Sequence, residues 1–245
     1  MSKRIFVVSW ILVLACVCVP SVFSGPGPVQ SSADKLIVVQ FNIAQQDMLT
    51  TCLATGTPIG GGVIITVEHL FKDDAELLAI GFAVKQPMDK VLTGCYTGGC
   101  STIRFPMRLT KLGEEDDVAV LKADLRYVMN MMRNTPWTAR EHRDIVALYA
   151  FLVKGIPIAT EELAIDDPVF FAGFPFGGPL VVDEGMFYTN SVDTLTCNGT
   201  AERGMSGGAM LNSKGAIVGF IANKLQGNGK NWVRGPAVRV VSKIR

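Results

Sequence analysis

Short apolar runs recur along most of the chain, and their length limits the possible folds more than any other feature of the sequence. Each run has roughly four to eight residues and is bounded by Gly, Asp, Pro or Thr, a pattern typical of β-strands. Few helical patterns alternate with these runs, so the sequence favours an all-β barrel or sandwich over a parallel α/β sheet. Examples are KLIVVQFNI, GGGVIITV, ELLAIGFAV, TIRFPMRL and DDVAVLKA in the first half, and DPVFFAGF, LVVDEGMFY, SVDTLTC and GAIVGFIANK in the second.

One segment between the two strand-rich halves has a helical pattern instead. Thr138 and Glu141 have the spacing of a capping box. From Ile145 onward, apolar residues recur at i, i+3, i+4 and i+7, and Gly155 provides a stop. We therefore expect residues 126–160 to form a helical insertion or linker that braces the halves, covers a cleft or binds a partner.

The N-terminus has the organisation of a cleaved signal peptide, residues 1–24. A basic start precedes an apolar run that is shorter than the roughly 20 residues of a bilayer span, and Ser24 is a suitable cleavage point. A lipid anchor at Cys16 and a retained membrane anchor are the alternatives. We expect an exported protein, periplasmic or extracellular, in which residues 25–34 form a polar N-terminal tail.

Four cysteines follow the expected cleavage point: Cys52, Cys95, Cys100 and Cys197. An even number in an exported chain permits two disulfides, with three possible pairings. Cys95 and Cys100 enclose a short turn-like segment and form one candidate pair, which leaves Cys52 and Cys197 to pair with each other or to stay reduced. The spacings include no CxxC pair and the chain has two histidines, so we expect neither a metal nor another cofactor.

The charge of the chain gives no sign of a polyanionic partner. The formal net charge is +1, and basic residues do not cluster. We therefore expect no nucleic-acid partner and no membrane contact beyond the possible lipid anchor. The oligomeric state stays open.

The segment ERGMSGGAML, residues 202–211, surrounds Ser206 with glycines. A serine nucleophile needs a nearby base, a group that orients this base, and donors for the oxyanion. Glycine lets a chain turn its N–H groups inward without a Cβ clash. The amides of Gly204 and Ser206 can therefore point at one spot.

A base and an orienting acid are available earlier in the chain. His142 lies on the polar side of the predicted helix and is expected to be solvated, whereas His69 ends an apolar strand. Asp117 closes an acidic run that leads into a strand, so it is the acid expected to be drawn inside. A buried carboxylate needs a partner, and a histidine N–H is suitable.

These residues resemble the chymotrypsin-like serine proteases, in the compact HtrA-type form without a PDZ module. GGGVIITVEHLF is similar to the histidine segment of the family, DDVAVLKAD to its aspartate strand, and GMSGGAMLNSKGAIVGFIANK to its nucleophile segment. The order His, Asp, Ser is that of the family. The resemblance implies His69, Asp117 and Ser206 as catalytic residues, and the amides of Gly204 and Ser206 as the oxyanion hole.

The resemblance also implies an architecture and a function. We expect two six-stranded antiparallel β-barrels, residues 35–125 and 161–245, on either side of the helical insertion. The expected activity is secreted endopeptidase cleavage of polypeptide substrates through an acyl-enzyme. The expected substrate-binding residues are Thr200, Phe220, Ile221 and Ala222, and Thr200 stands where an acid would select Arg or Lys. An uncharged aliphatic P1 residue is therefore expected.

Three other functions fit parts of the pattern. A catalytically silent binding module on a protease fold would keep the same residues without turnover. An esterase-type hydrolase usually places its histidine last and follows its serine with a helix, whereas here the histidine comes first and strands follow. A structural β-barrel protein would need none of the three side chains.

Overall fold

The computed structural model describes residues 26–45, 48–71, 92–96, 103–113, 117–134, 136–191, 193–227 and 229–241. The expected signal peptide and lipid-anchor cysteine, the apolar run ELLAIGFAV and Cys100 lie outside these residues.

The first half of the chain forms a closed barrel of six antiparallel strands. Its strands are β1 Ile37–Gln45, β2 Met48–Gly60, β3 Val63–Thr66, β4 Leu92–Tyr96, β5 Ile103–Gly113 and β6 Val118–Ala123. They pair in the order β1–β2–β3–β6–β5–β4, with β1 and β4 closing the barrel. Apolar side chains such as Ile37, Ile64, Phe105 and Leu121 fill its interior and are almost fully buried. This burial removes apolar surface from water and supplies the main stabilisation of the barrel.

The second half forms a seven-stranded antiparallel sheet. Its strands are β7 Pro168–Gly173, β8 Val181–Asn190, β9 Thr194–Asn198, β10 Ala209–Leu211, β11 Ile217–Phe220, β12 Asn223–Gly227 and β13 Lys230–Pro236. The order is β11–β10–β7–β8–β9–β13–β12. A single bridge between Gly219 and Ala237 brings β11 back beside the end of β13. The expected all-β, double-barrel class is confirmed, with seven strands in this second unit where the sequence suggested six.

Two helices connect the barrel to the second sheet: α2 Leu125–Asn134 and α3 Ala139–Lys154. The predicted capping box at the start of α3 is confirmed, since Thr138 N–H donates to Glu141 Oε2 at 2.9 Å and Glu141 N–H donates to Thr138 Oγ1 at 3.3 Å. The predicted apolar stripe also faces inward: Ile145, Leu148 and Leu152 are fully buried in the core of the first barrel. Helix α3 therefore braces this barrel. The separate helix α2 was not predicted.

The end of α3 is closed by the hairpin between β2 and β3. The last carbonyls of a helix have no partner within the helix. Here Gly61 N–H donates to Val153 O and Gly62 N–H donates to Leu152 O, both at 2.8 Å. A Cβ at Gly155, whose φ is +76°, would lie 2.3 Å from Gly60 N. Only glycine permits this approach of two backbones.

The segment expected to be a polar tail contains a short helix, α1 Gly27–Ala33. Val29 and Ala33 are fully buried in an apolar cluster to which both sheets contribute and which also contains Ile217 and Val240. The Gly- and Pro-rich composition concealed these inward-facing residues, because their burial depends on the sheet beneath them.

The two cysteines whose side chains the structure describes are free and buried: Cys95 and Cys197. The expected disulfide framework therefore finds no support in the described residues. Cys197 lies in the core of the second sheet, whereas Cys95 donates to Gln40 Oε1 at 3.6 Å in the first barrel. Burial raises the pKa of the Cys197 thiol to about 12 and also raises the pKa of Cys95.

The substitution Leu152→Ala tests the brace formed by α3. Its fully buried side chain leaves a cavity on truncation, so the free energy of unfolding should fall by about 2–5 kcal/mol. Val153→Ala is the matched control, because Val153 is 42% exposed and should lose only about 0.5 kcal/mol. Urea unfolding measures both values. Equal losses in the two variants would show that α3 does not pack as described.

Alkylation tests the state of the cysteines. At pH 8 the native protein should react slowly with iodoacetamide at Cys95 and Cys197, because burial keeps both thiols protonated. In urea without reductant both should react fully, as counted by mass spectrometry. Because the folded pKa of Cys197 lies above its ordinary 9.0, this residue should also lower stability as the pH rises from about 9 toward 12. A requirement for reduction before labelling would contradict the free thiols.

Candidate active site

Ser206 lies in a tight turn that precedes β10, and glycines shape this turn. Gly204 has φ +93° and Gly207 has φ +83°, values that favour glycine. A Cβ at Gly204 would lie 2.5 Å from Phe176 N, and one at Gly207 would lie 2.2 Å from Thr55 O. The glycines around the serine are therefore required both by the backbone conformation and by the close approach of neighbouring chain.

The amide groups of this turn fall into two sets. Met205 N–H donates to Glu202 O at 3.1 Å, and Gly207 N–H donates to Ile221 O at 2.7 Å. In the described part of the chain, no protein acceptor is found for the amides of Gly204 and Ser206. Backbone N–H groups are strong donors that are seldom left unpaired. These two amides are therefore free to bind an acceptor that enters from outside.

The preceding peptide group fixes the direction of the Gly204 amide. Arg203 O accepts a hydrogen bond from Phe176 N at 2.6 Å. In a trans peptide the C=O and the following N–H point in opposite directions. The Gly204 N–H is therefore directed away from Phe176.

A seam of buried hydrogen bonds joins the serine turn to strand β2 of the first barrel. Thr55 N–H donates to Ser206 O at 2.9 Å, and the Thr55 hydroxyl donates to Gly204 O at 2.8 Å. The Thr57 hydroxyl donates to Gly207 O at 2.8 Å. Both threonines are completely buried. Water cannot replace these bonds, so they hold the turn of the second sheet in a fixed place against the first barrel.

His69 and Asp117 form a hydrogen-bonded pair at the end of the first barrel. His69 Nδ1 lies 2.8 Å from Asp117 Oδ2, and His69 N–H donates to Asp117 Oδ1 at 2.8 Å. The His69 side chain is 38% exposed and that of Asp117 is 25% exposed. An ionised carboxylate only accepts hydrogen bonds, which assigns the proton to Nδ1 and leaves the lone pair of a neutral imidazole on Nε2. His142, by contrast, is exposed on α3, as the sequence suggested.

In the described residues, no direct hydrogen bond joins Ser206 to this pair. The Ser206 hydroxyl donates to Ala222 O at 3.5 Å, and among the described residues it has no bond to His69. The two chain segments are nevertheless in contact, because a Cβ at Gly207 would lie 2.3 Å from Thr66 Oγ1, three residues before His69. A hydroxyl has one proton to donate, so that of Ser206 must leave Ala222 O before it can bond to the imidazole.

An open cleft of about 710 Å³ adjoins Ser206. Two of the predicted substrate-binding residues, Ile221 and Ala222, line it. The other two do not: Phe220 is fully buried in the core, and the Thr200 hydroxyl donates to Asp183 Oδ2 at 3.3 Å. Successive side chains of a strand point to opposite faces of the sheet, and the Phe220 side chain points to the core.

Charged residues of the cleft were missed by the sequence analysis. Glu202, Arg203 and Lys224 line it, and Lys224 Nζ lies 3.4 Å from Glu202 Oε1. Glu202 and Arg203 directly precede the glycine turn in the sequence, so their position next to the nucleophile could have indicated that they line the cleft. Lys224 follows Ala222 in the next strand, and its place depends on how that strand pairs with β13.

Within the described residues, no cluster of His, Cys, Asp or Glu is suited to hold a metal ion. None of the helices described there is long and apolar enough to cross a membrane.

Comparisons with known proteins identify the family of the chain. The family described as trypsin-like peptidase domain matches residues 54–220, more than half of the chain. Comparison with curated protein sequences gives no match.

Solved protease structures share the fold. The active form of the Rv3671c protease from M. tuberculosis aligns with a TM-score of 0.61 and 14% identity, over 89% of this chain and 82% of that chain. Its inactive form aligns with a TM-score of 0.58 and 13% identity, over 89% and 90%. The serine endoprotease from Yersinia pestis aligns with a TM-score of 0.60 and 19% identity, over 89% and 63%. At these identities the likeness concerns the fold.

The family match covers both the strand that leads to His69 and the turn that carries Ser206, and the double-barrel fold agrees with it. The chain therefore belongs to the trypsin-like peptidases and is a serine endopeptidase.

Proposed function

We propose that this endopeptidase cleaves polypeptides after export, through an acyl-enzyme formed on Ser206. His69 is the general base and acid, Asp117 orients it, and the amides of Gly204 and Ser206 bind the oxyanion. The observation that carries this proposal is the combination of the His69–Asp117 pair with two turn amides that have no acceptor among the described residues. The export step is supported by the signal-like N-terminus alone.

The first chemical step requires a proton acceptor for the serine. The Ser206 hydroxyl turns from Ala222 O toward Nε2 of His69, and resting enzymes often show such long or poorly aligned contacts. As the Oγ–C bond forms, the proton moves to Nε2, and the carboxylate of Asp117 stabilises the resulting imidazolium. The carbonyl oxygen becomes an oxyanion and accepts from the two free amides.

The second half of the reaction uses the same groups in reverse. His69 donates its proton to the leaving nitrogen, and the C–N bond breaks to release the amine. Water then attacks the acyl-enzyme while His69 takes a proton from it. The ester bond to Ser206 breaks, the acid product leaves, and the hydroxyl regains its proton.

An extended substrate fits the edge of the second sheet. Strand β12 is last in the sheet order, and it follows directly after Ile221 and Ala222 of the cleft. An exposed strand edge binds an extended peptide through main-chain hydrogen bonds, and neighbouring pockets then select side chains. We propose that the substrate pairs along β12 and places its P1 side chain in the cleft.

We propose an uncharged aliphatic P1 residue. Ala201, Ile221 and Ala222 give the cleft apolar surface. Of its charged groups, Lys224 and Glu202 form an ion pair with each other, and Arg203 is exposed to solvent. We therefore expect none of them to provide a buried counter-charge for a charged P1 side chain. Apolar contact is then the main source of selectivity.

Labelling with a fluorophosphonate tests the nucleophile. The wild-type protein, expressed with its full N-terminus, should be labelled at Ser206, and Ser206→Ala should lose both labelling and peptide hydrolysis while keeping the same thermal unfolding midpoint. The intact mass of the labelled species should correspond to a chain lacking residues 1–24.

The same labelling experiment distinguishes an active protease from the rival function, a catalytically silent binding module. A folded wild-type protein that binds peptides but takes no label is a silent binding module, in line with the resting contact of Ser206 with Ala222 O.

A peptide library tests the P1 preference. Cleavage after Ala, Val or Leu should exceed cleavage after Arg, Lys, Asp or Glu by at least about tenfold in kcat/KM, because a charged side chain would lose hydration in an apolar site. Ser206→Ala serves as the background control. Faster cleavage after any of the charged residues would overturn the aliphatic preference.

A further inference from the structure

Thr55 belongs to the first barrel, yet it binds two backbone carbonyls of the serine turn, those of Gly204 and Ser206. Thr57 binds the third carbonyl of the seam, that of Gly207. We propose that Thr55 is a positioning residue for the oxyanion hole, holding the peptide groups around Gly204 and Ser206 so that their amides face one point. This inference rests on the proposed acyl-enzyme mechanism. It assigns a role in the reaction to a residue that reaches neither the substrate nor the reacting atoms.

The Thr55 hydroxyl is used in both of its hydrogen-bonding capacities. It donates to Gly204 O at 2.8 Å and accepts from Phe174 N–H at 2.9 Å. A hydroxyl has one proton to donate, so this geometry fixes its rotation. Both backbone polar groups of Thr55 are also hydrogen-bonded. Its N–H donates to Ser206 O at 2.9 Å, and its carbonyl accepts from the Thr66 hydroxyl at 2.9 Å.

These bonds constrain Gly204 from both sides. The peptide before Gly204 is held through Arg203 O by Phe176 N–H, and the peptide after it is held through Gly204 O by Thr55. Glycine has no Cβ to restrict rotation of either peptide, so an unheld Gly204 could turn its amide out of the site. Both holding contacts are needed to fix this amide.

The same hydroxyl connects the two contacts. Phe174 N–H donates to Thr55, and Phe174 is two residues from Phe176, which holds Arg203 O. Thr55 thus positions the segment from Phe174 to Phe176 as well as Gly204 itself. Loss of the Thr55 hydroxyl should therefore increase the mobility of the peptide group before Gly204 and of the one after it.

The substitution Thr55→Val removes the hydroxyl and keeps the shape of the side chain. We expect kcat to fall about 10²-fold, the scale of a displacement of about 1 Å in a catalytic group, while KM changes less than about threefold. Thr55→Ser should restore kcat to within a few fold of the wild type. The pH dependence of kcat/KM should keep its apparent pKa, since the His69–Asp117 pair is unaltered.

Thr57→Val is the matched control. It removes a hydroxyl from the same strand at an equally buried position, where the partner is Gly207 O. The Gly207 amide already donates to Ile221 O and binds no oxyanion. Thr57→Val should therefore lower the unfolding midpoint about as much as Thr55→Val does. Its fold-loss of kcat should be at least about tenfold smaller than that of Thr55→Val.

Inhibition by a peptide aldehyde provides a second measurement, because its tetrahedral adduct places an oxygen in the oxyanion hole. The inhibition constant of the aldehyde should rise at least about tenfold in Thr55→Val. Binding of a substrate peptide should be unchanged: the double variant Thr55→Val/Ser206→Ala should bind it as tightly as Ser206→Ala alone. If Thr55→Val does not fold, Thr55→Cys keeps the volume with a weaker donor and should show an intermediate kcat.

The outcomes are distinguishable. A wild-type protein that takes no fluorophosphonate label overturns the proposed mechanism and this inference together. A labelled wild type with Thr55→Val equal to it in kcat overturns this inference alone. Equal losses of kcat in Thr55→Val and Thr57→Val, in proportion to their losses of stability, reduce Thr55 to a structural residue and also overturn it.

Discussion

Buried hydrogen bonds between strand β2 and the serine turn are the interaction on which the site depends. The reacting groups come from two separate sheets, so neither sheet alone fixes their distances. Thr55 and Thr57 cross this boundary with donors that have no access to water. A buried donor without its acceptor is costly, and this cost opposes any relative sliding of the two sheets.

Close backbone approach is the second constraint, and it explains where the glycines lie. Gly204 and Gly207 let the turn run against the segment at Phe176 and against Thr55. Larger residues would separate the sheets and break the threonine contacts. The glycine-rich sequence and the buried threonines are therefore two parts of one arrangement, although they are about 150 residues apart.

Features that depend on local sequence were predictable, and features that depend on tertiary placement were not. The capping box at Thr138 and the inward stripe from Ile145 follow from helical spacing, and the structure has both. The direction of Phe220 and the position of Lys224 follow from strand pairing, which the sequence does not specify. Helix α1 was concealed for a similar reason, because its short apolar face is meaningful only against the second sheet.

The His69–Asp117 contact illustrates the boundary between these cases. The sequence offered both residues with their neighbouring strands, and the pairing of β3 with β6 brings those strands together. The turn that carries Ser206 contacts the segment before His69, yet the direction of the Ser206 hydroxyl toward Ala222 O could not be inferred. The rotation of a side-chain hydroxyl is set by its neighbours in the folded protein, and a sequence pattern does not specify it.

The closure of α3 by the hairpin glycines has a consequence for how the chain moves. A helix whose last carbonyls are bound by another element cannot fray from that end unless this element also opens. Helix and barrel should therefore exchange their amide protons as one cooperative unit. The next residue, Ile156, is held to the same barrel, because its N–H donates to Pro58 O at 2.9 Å. The connection to the second sheet therefore starts from a helix end that cannot open independently.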